Sequence, residues 1–308
     1  MLKAIDLHKK YKVNEVVKGV NLELHPGESV GLVGPNGAGK STTISILSSL
    51  ISPTKGTVQW NGVSIEKNLS IFRRQLGLVP QEIALYPELS AKENLMFFGR
   101  VYGLKGEALS ERIEYILKKI GLMERQNDLV KTYSGGMKRR LNIGIALLHK
   151  PSILIMDEPT VGIDPQSRAH ILETVKQLVD EGMTLLYTSH YMEEVELLCD
   201  RIYIINQGEV VASGTKEELK NLISENQTIE LKGNFTESFI AKLKEVFLEA
   251  TLRHEEKVIY LSMDKNITPL KTIFDLASQD DIQIISVSVQ TPTLEDVFLH
   301  LTGRELRD

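Results

Sequence analysis

The residue types with the most chemistry in them lie in one stretch, Val30-Gly31-Leu32-Val33-Gly34-Pro35-Asn36-Gly37-Ala38-Gly39-Lys40-Ser41-Thr42. From Gly34 to Ser41 it fits the pattern G-x-x-x-x-G-K-[ST]. Gly34, Gly37 and Gly39 let the backbone curl so that several N–H groups converge on an anion. Lys40 adds positive charge for the outer phosphates of a nucleotide. The Ser41 hydroxyl is placed to coordinate Mg²⁺. An apolar run precedes the turn and a helix start follows it. That helix turns its positive end toward the same phosphates. A glycine-rich turn with an incidental lysine would not need this strand–turn–helix context.

Three further groups carry chemistry. Ser152-Ile153-Leu154-Ile155-Met156 is an apolar run that ends in Asp157-Glu158. Such a run suits a central parallel strand buried on both faces. Successive side chains alternate along a strand, so the two acids point different ways. One can hold Mg²⁺ through water while the other faces the reacting phosphate. Thr184-Leu185-Leu186-Tyr187-Thr188-Ser189 is a second apolar strand, with His190 just beyond it. A lone histidine is usually structural, but this one falls at the edge of the sheet that carries the loop and the acids. Leu76-Gly77-Leu78-Val79-Pro80 delivers Gln81 to a strand end. Gln81 reads either as a contact to Mg²⁺ or the attacking water, or as a polar loop residue.

The elements that must position these groups can be read from periodicity. Residues 3–25 alternate as two strands with a polar turn around Asn14. Tyr11 between them is either a core or loop aromatic or a stacking platform for a nucleotide base. After Lys40, the spacing of Ile44, Leu47, Leu50 and Ile51 predicts a helix that Pro53 ends. Residues 57–65 form a hairpin through Asn61-Gly62, with Trp60 as a packing residue. Residues 90–120 read as two helices, the first opened by a Ser90/Glu93 capping box. Thr132-Tyr133-Ser134-Gly135-Gly136-Met137 opens another helix, with Ser134 as its N-cap. Its two glycines permit close backbone approach to something outside the helix. Lys138, Arg139 and Arg140 sit in the first turn, where the helix dipole disfavours each cation by about 0.3–1 kcal/mol. They are either a solvated basic turn or a local rule broken for function. Residues 160–165 turn into a further helix, and 202–212 form a hairpin.

The chain has 308 residues, enough for two domains. Its net charge of −5 gives no broad electrostatic case for nucleic-acid binding. Cys199 is the only cysteine, which excludes an internal disulfide and fits a reducing compartment. No apolar run approaches the roughly 20 residues of a membrane-spanning helix. The first residues, Met1-Leu2-Lys3-Ala4-Ile5-Asp6, lack the apolar core of a signal peptide. Work at a membrane would go through a partner.

Taken in order, these motifs resemble the ATP-binding subunit of an ABC transporter, from about residue 2 to about residue 225. The resemblance rests on the phosphate loop, Gln81, the Tyr133-Ser134-Gly135-Gly136-Met137 signature, Asp157-Glu158, the turn at Asp164, and His190. It implies an α/β P-loop NTPase cassette with a mixed sheet core, an antiparallel β subdomain and a helical signature subdomain. It also implies roles. Tyr11 stacks on adenine. Gly34, Pro35, Asn36, Gly37, Ala38, Gly39, Lys40, Ser41 and Thr42 hold the phosphates of ATP. Ser41, Gln81 and Asp157 contact Mg²⁺ or its waters. Glu158 is the general base, and His190 holds the water in line. Ser134, Gly135 and Gly136, with Asp164, close over ATP held by a second ATP-binding subunit, head to tail. The partner across the membrane interface is an ABC-2 type permease, so the chain sits peripherally on the cytoplasmic face of the cell membrane. The segment 82–88, with exposed apolar residues after Gln81, is the expected docking surface.

Tyr133 and Met137 stand where the commoner signature has leucine and glutamine. That departure resembles bacterial drug-resistance exporters of the ABC-2 type, and Met137 cannot make the glutamine's hydrogen bond. Residues 226–308 form a second domain. Its order of strand, helix, two strands, helix and strand over 227–290 matches a ferredoxin-like unit. Thr291-Pro292-Thr293-Leu294 then begins a last helix. This ending is similar to the C-terminal extension of daunorubicin-type ATPases. Its role is open between dimer contact or regulation and stabilising packing. The expected function is ATP hydrolysis that drives export of drugs, antibiotics or other amphipathic molecules. The alternatives are an importer and a soluble ABC ATPase acting on ribosomes or DNA. The latter predicts two cassettes or a coiled-coil insertion with basic arms, and this chain has neither.

Overall fold

The computed structural model describes residues 1–223, 226–264, 266–290 and 292–303. The chain divides into two compact units, one of Met1–Lys216 with the described residues from Leu301 and the other of Glu217–His300. The boundary expected at 225/226 falls where 224 and 225 lie outside the described residues, as does Thr291 of the tail.

The first unit opens with an antiparallel pair, β1 (Leu2–Tyr11) and β2 (Asn14–Leu24). Leu2, Ala4 and Leu7 of β1 are buried, and so are Val17, Val20, Leu22 and Leu24 of β2. β3 (Ser29–Val33) is buried along its whole length and leads into α1 (Lys40–Leu47). β4 (Lys55–Trp60) and β5 (Val63–Ser64) make the Asn-Gly hairpin and extend the first sheet to the order β2-β1-β4-β5. Trp60 packs at the core margin, its ring 6.2 Å from Phe72.

α1 is shorter than its periodicity predicts. It stops at Leu47, and Leu50 is 64% exposed. Ser49 takes the left-handed conformation (φ 60°), and the Leu50 amide bonds back to the Ser45 carbonyl. This closure ends the helix before Pro53 can.

α2 (Leu69–Gln75) feeds β6 (Leu76–Val79). Three helices follow: α3 (Ala91–Val101), α4 (Gly106–Lys119) and α5 (Gly135–Leu147). The Ser90/Glu93 capping box is formed at the start of α3. One turn on, the buried Asn94 amide accepts from the Tyr86 amide and donates to the carbonyls of Tyr86 and Ser90. The end of the segment after Gln81 is thereby fixed to α3, with Tyr86 46% exposed.

β7 (Ile153–Met156), α6 (Pro165–Asp180), β8 (Thr184–Tyr187) and α7 (Met192–Leu198) complete the parallel part. The hairpin of β9 (Arg201–Asn206) and β10 (Glu209–Thr215) closes the second sheet, whose order is β10-β9-β3-β8-β7-β6. β7 and β8 are buried at every position. Each fully buried leucine there stabilises the fold by about 1.5–3 kcal/mol. Leu22, Leu32, Leu47, Ile155 and Leu186 belong to one core that joins both sheets.

After α8 (Lys216–Asn221) the second unit contains β11 (Asn226–Gly233), α9 (Glu237–Val246), β12 (Thr251–Glu255), β13 (Val258–Asp264), α10 (Leu270–Gln279) and β14 (Ile284–Gln290). The last helix is α11 (Leu294–Thr302). The sheet order is β12-β13-β11-β14, with every neighbour antiparallel. This is a ferredoxin-like α+β unit. Ile229, Leu231, Phe239, Leu243, Ile259, Leu261 and Ile273 form its core. Among the described residues, no helix is long and apolar enough to cross a membrane.

Candidate active site

β3, β8, β7 and β6 lie side by side and parallel. Each therefore delivers the residues that follow it to the same edge of the sheet, where ligands of open α/β folds bind. β3 delivers the glycine-rich loop, β8 delivers His190, β7 the two acids and β6 Gln81.

The loop wraps around its own lysine. Gly39 precedes α1 with φ 104°, and a Cβ there would come 2.8 Å from the Val16 carbonyl oxygen. Lys40, 5% exposed, donates to the carbonyls of Gly34 (2.7 Å) and Pro35 (3.3 Å). Its Nζ lies 3.7 Å from Glu158 Oε1. Burial pushes the Lys40 ammonium below its usual range, against the pull of Glu158 and Asp157. Asn36, Gly37 and Ser41 are exposed on the outer side of the loop, while Pro35 and Ala38 are buried.

The two acids follow β7 and have different side-chain partners, Glu158 being turned by its left-handed backbone. The Thr188 hydroxyl bonds Asp157 Oδ1 at 2.9 Å, and the Ser41 side chain also bonds Asp157. Burial raises the Asp157 carboxyl above its ordinary value despite these bonds. Glu158 turns the other way. Its Oε1 lies 2.7 Å from His190 Nε2, and its Oε2 accepts from Gln81 Nε2 at 2.9 Å. Burial pushes the Glu158 carboxyl up. The hydrogen bond and charge of His190, with the charge of Lys40, outweigh it and hold the group below the ordinary range. Glu158 adopts φ 49°. Its amide donates to the Thr188 hydroxyl, so Thr188 touches both acids.

Lys40, Gln81, Asp157, Glu158 and His190, together with Ser41, thus form one cluster. Tyr11 stands at the end of β1, 48% exposed, with Lys9 Nζ 5.4 Å from its ring centre. That exposure removes the core reading of Tyr11.

Ser134, Gly135, Gly136 and Asp164 form a second cluster. Ser134 caps α5 by accepting from the Met137 amide, and Asp164 caps α6 by accepting from the Ser167 amide. A Cβ on Gly136 would lie 2.1 Å from Ser167 Oγ. The close approach that this glycine permits is to the start of α6 in the same chain.

Arg139 accounts for the cations in the first turn of α5. Its side chain is buried and donates to the carbonyls of Pro80 (2.6 Å) and Gln81 (2.5 Å). Hydrogen bonds from a charged donor contribute about 1.5–3 kcal/mol each, which outweighs the dipole penalty. Arg140 donates to the carbonyls of Ile120 and Gly121. The solvated-turn reading holds for neither arginine. Sequence reasoning singled out no role for Arg139, Thr188 or Glu194; only the misplaced charge of Arg139 gave a signal.

The family model described as ABC transporter matches residues 17–161. A second, the C-terminal domain of DrrA1-3-like ATP-binding proteins, matches residues 214–302. The chain is 49% identical over 311 residues to the linearmycin resistance ATP-binding protein LnrL of Bacillus subtilis, with all of both chains covered. It is 37% identical to the Nod factor export ATP-binding protein I of Cupriavidus metallidurans, covering 100% of this chain and 99% of that one. Among solved structures, the ATP-binding cassette MJ0796, a dimer in a post-hydrolysis state with ADP and Pi, superposes with a TM-score of 0.64 at 30% identity. That match covers 70% of this chain and 98% of the other. With the glycine-rich loop, the paired acids and the histidine at one sheet edge, the chain belongs to the ABC transporter ATP-binding family and is an ATP-hydrolysing subunit.

Proposed function

We propose that this ATPase, held peripherally on the cytoplasmic face of the membrane, drives export of drugs, antibiotics or other amphipathic molecules through a separate ABC-2 type transmembrane permease. The observation that carries this reading is the match of residues 214–302 to the DrrA1-3-like C-terminal domain, together with full-length similarity to a resistance protein. The test is deletion of the gene followed by growth on a panel of amphipathic antibiotics. The expected result is sensitivity to at least one compound, restored by the wild-type gene and not by a Glu158→Gln copy. Unchanged growth across the panel, with loss of uptake of a nutrient instead, would favour the importer.

At the site, the loop from Gly34 to Thr42 and Lys40 bind the phosphates of ATP, and Tyr11 stacks on the base. Glu158 takes a proton from the attacking water, and His190 and Gln81 orient that water and the carboxylate. Hydrolysis of this kind needs mainly positioning and charge stabilisation.

Among the described residues, no cluster of three or more His, Cys, Asp or Glu side chains could hold a metal alone. Ser41 and Asp157 are two adjacent hard oxygen donors, with Gln81 nearby on the Glu158 side. Such a sparse set fits Mg²⁺, which keeps its waters and takes further ligands from phosphate. When bound, the ion would neutralise charge on the outer phosphates.

Ser134, Gly135, Gly136 and Asp164 close the site of a second subunit in a head-to-tail dimer; the dimeric cassette of similar fold supports this. The exposed Ile83 and Tyr86 after Gln81 suit docking of the permease. Arg139 ties the two functions together, because it joins the helix that begins at Ser134 to the backbone of Gln81. Arg139→Met is expected to keep ATP affinity within about twofold and lower turnover roughly tenfold. Equilibrium nucleotide binding and steady-state phosphate release check this. Unchanged turnover would leave Arg139 a packing residue.

A further inference from the structure

α7 carries a carboxylate that the reaction does not touch. Glu194 is 1% exposed, yet four donors converge on it. Its Oε2 accepts from the hydroxyls of Thr160 (2.8 Å), Tyr187 (2.8 Å) and Ser189. Its Oε1 accepts from Arg168 Nε at 2.6 Å. An ionised carboxylate is an acceptor only, so it suits three hydroxyls that all donate. Burial, and then the neighbouring Glu194 charge, push the Tyr187 phenol well up, which keeps it a donor. Arg168 supplies the countercharge and is itself braced, with its guanidinium 3.9 Å from the Tyr191 ring centre.

The donors come from separate elements, and two of them adjoin the reacting groups. Ser189 immediately precedes His190. Its hydroxyl also accepts from the Tyr191 amide at 3.0 Å, which closes a turn with His190 at its middle. Thr160 lies two residues after Glu158. Its carbonyl accepts from Ile163, while the Glu158 carbonyl accepts from Val161. Ser189 and Thr160 are therefore held at a fixed separation by one oxygen atom. His190 and Glu158, 2.7 Å apart at their side-chain tips, are held by the same oxygen at one remove.

We infer that Glu194 is a positioning residue for hydrolysis: its carboxylate fixes the turn bearing His190 against the turn that follows Glu158. The inference rests on the proposed roles of those two residues. Tyr187 and Arg168 orient the carboxylate from β8 and α6. Glu194 touches neither nucleotide nor water, so its loss acts on turnover rather than on ATP binding.

The test uses the full chain, with steady-state ATP hydrolysis and equilibrium ATP binding measured on Glu194→Gln, Ser189→Ala and Thr160→Val. Glu194→Gln is expected to lower kcat at least tenfold with KM for ATP within about twofold. Ser189→Ala and Thr160→Val should each lower kcat several-fold. Adding Ser189→Ala to Glu194→Gln should cost less than a further twofold, because both substitutions break the same tie. Unchanged kcat in Glu194→Gln, or losses that multiply in full, would overturn the inference. A purely structural role would lower the melting temperature without splitting kcat from KM. If Glu194→Gln does not fold, the Ser189→Ala/Thr160→Val cycle carries the test. A double loss smaller than the product of the single losses supports the inference, and a loss equal to that product refutes it. Glu158→Gln is run alongside. An active Glu158→Gln removes the assignment of the base, whereas an inactive one beside a fully active Glu194→Gln removes only the positioning role.

Discussion

Glu158→Gln yields a protein that binds ATP and hydrolyses it about 10²–10⁴-fold more slowly, the usual loss when a general base is removed. The amide matches the carboxylate in size, so it can still meet Gln81 and His190. What it lacks is the capacity to take a proton. It also removes a negative charge 3.7 Å from Lys40, so nothing in the change weakens phosphate binding. A nucleotide-sandwiched dimer should accumulate, visible by size-exclusion chromatography with ATP. In the wild type, the depressed Glu158 carboxyl stays ionised as pH falls through neutrality. Its protonation can limit the rate only below the ordinary glutamate range of about pH 4.3. Turnover within twofold of wild type in Glu158→Gln would remove it as the base.

Lys40→Ala should weaken ATP binding by about 10- to 150-fold, the loss that corresponds to about 1.5–3 kcal/mol for a hydrogen bond between charged groups. Lys40 is 5% exposed and aimed by two carbonyls of its own loop, so no neighbouring cation can take its place without rebuilding the turn. The fold should survive. Lys40 is buried at a desolvation cost, and its loss leaves Glu158 still paired with His190. The Glu158 carboxyl should rise, because the Lys40 charge helps to hold it down. Fluorescent-nucleotide titration and a melting curve check both halves. Normal affinity would refute the phosphate-loop role.

The cluster at the sheet edge was legible because each of its candidate residues stands at the end of an apolar run. Strand ends show in one dimension, and parallel strands carry their ends to one side. The capping box at Ser90 was legible because both of its members are local. The length of α1 was not, because Ser49 adopts a left-handed conformation that apolar spacing does not register. Arg139 and Glu194 stayed hidden for a related reason. The partners of Arg139 are backbone carbonyls of β6's loop, and carbonyls leave no mark in a sequence. Glu194 looks like one more acid on α7 until Thr160, Arg168, Tyr187 and Ser189 are folded around it. The close approach read for the glycines of α5 was legible, but not that the element approaching Gly136 is Ser167 at the start of α6.

The backbone of Glu158 bears on how such a protein can be stabilised. A non-glycine residue at φ 49° stores about 1–2 kcal/mol of steric strain. Glycine or asparagine would occupy that conformation at less cost, and either would discard the carboxylate. On the role proposed for Glu158, selection for thermal tolerance alone would therefore drift toward an inactive enzyme at this position. If the Glu158→Gln result is as expected, consensus stabilisation of this cassette needs Glu158 held fixed, because stability and turnover then pull in opposite directions there.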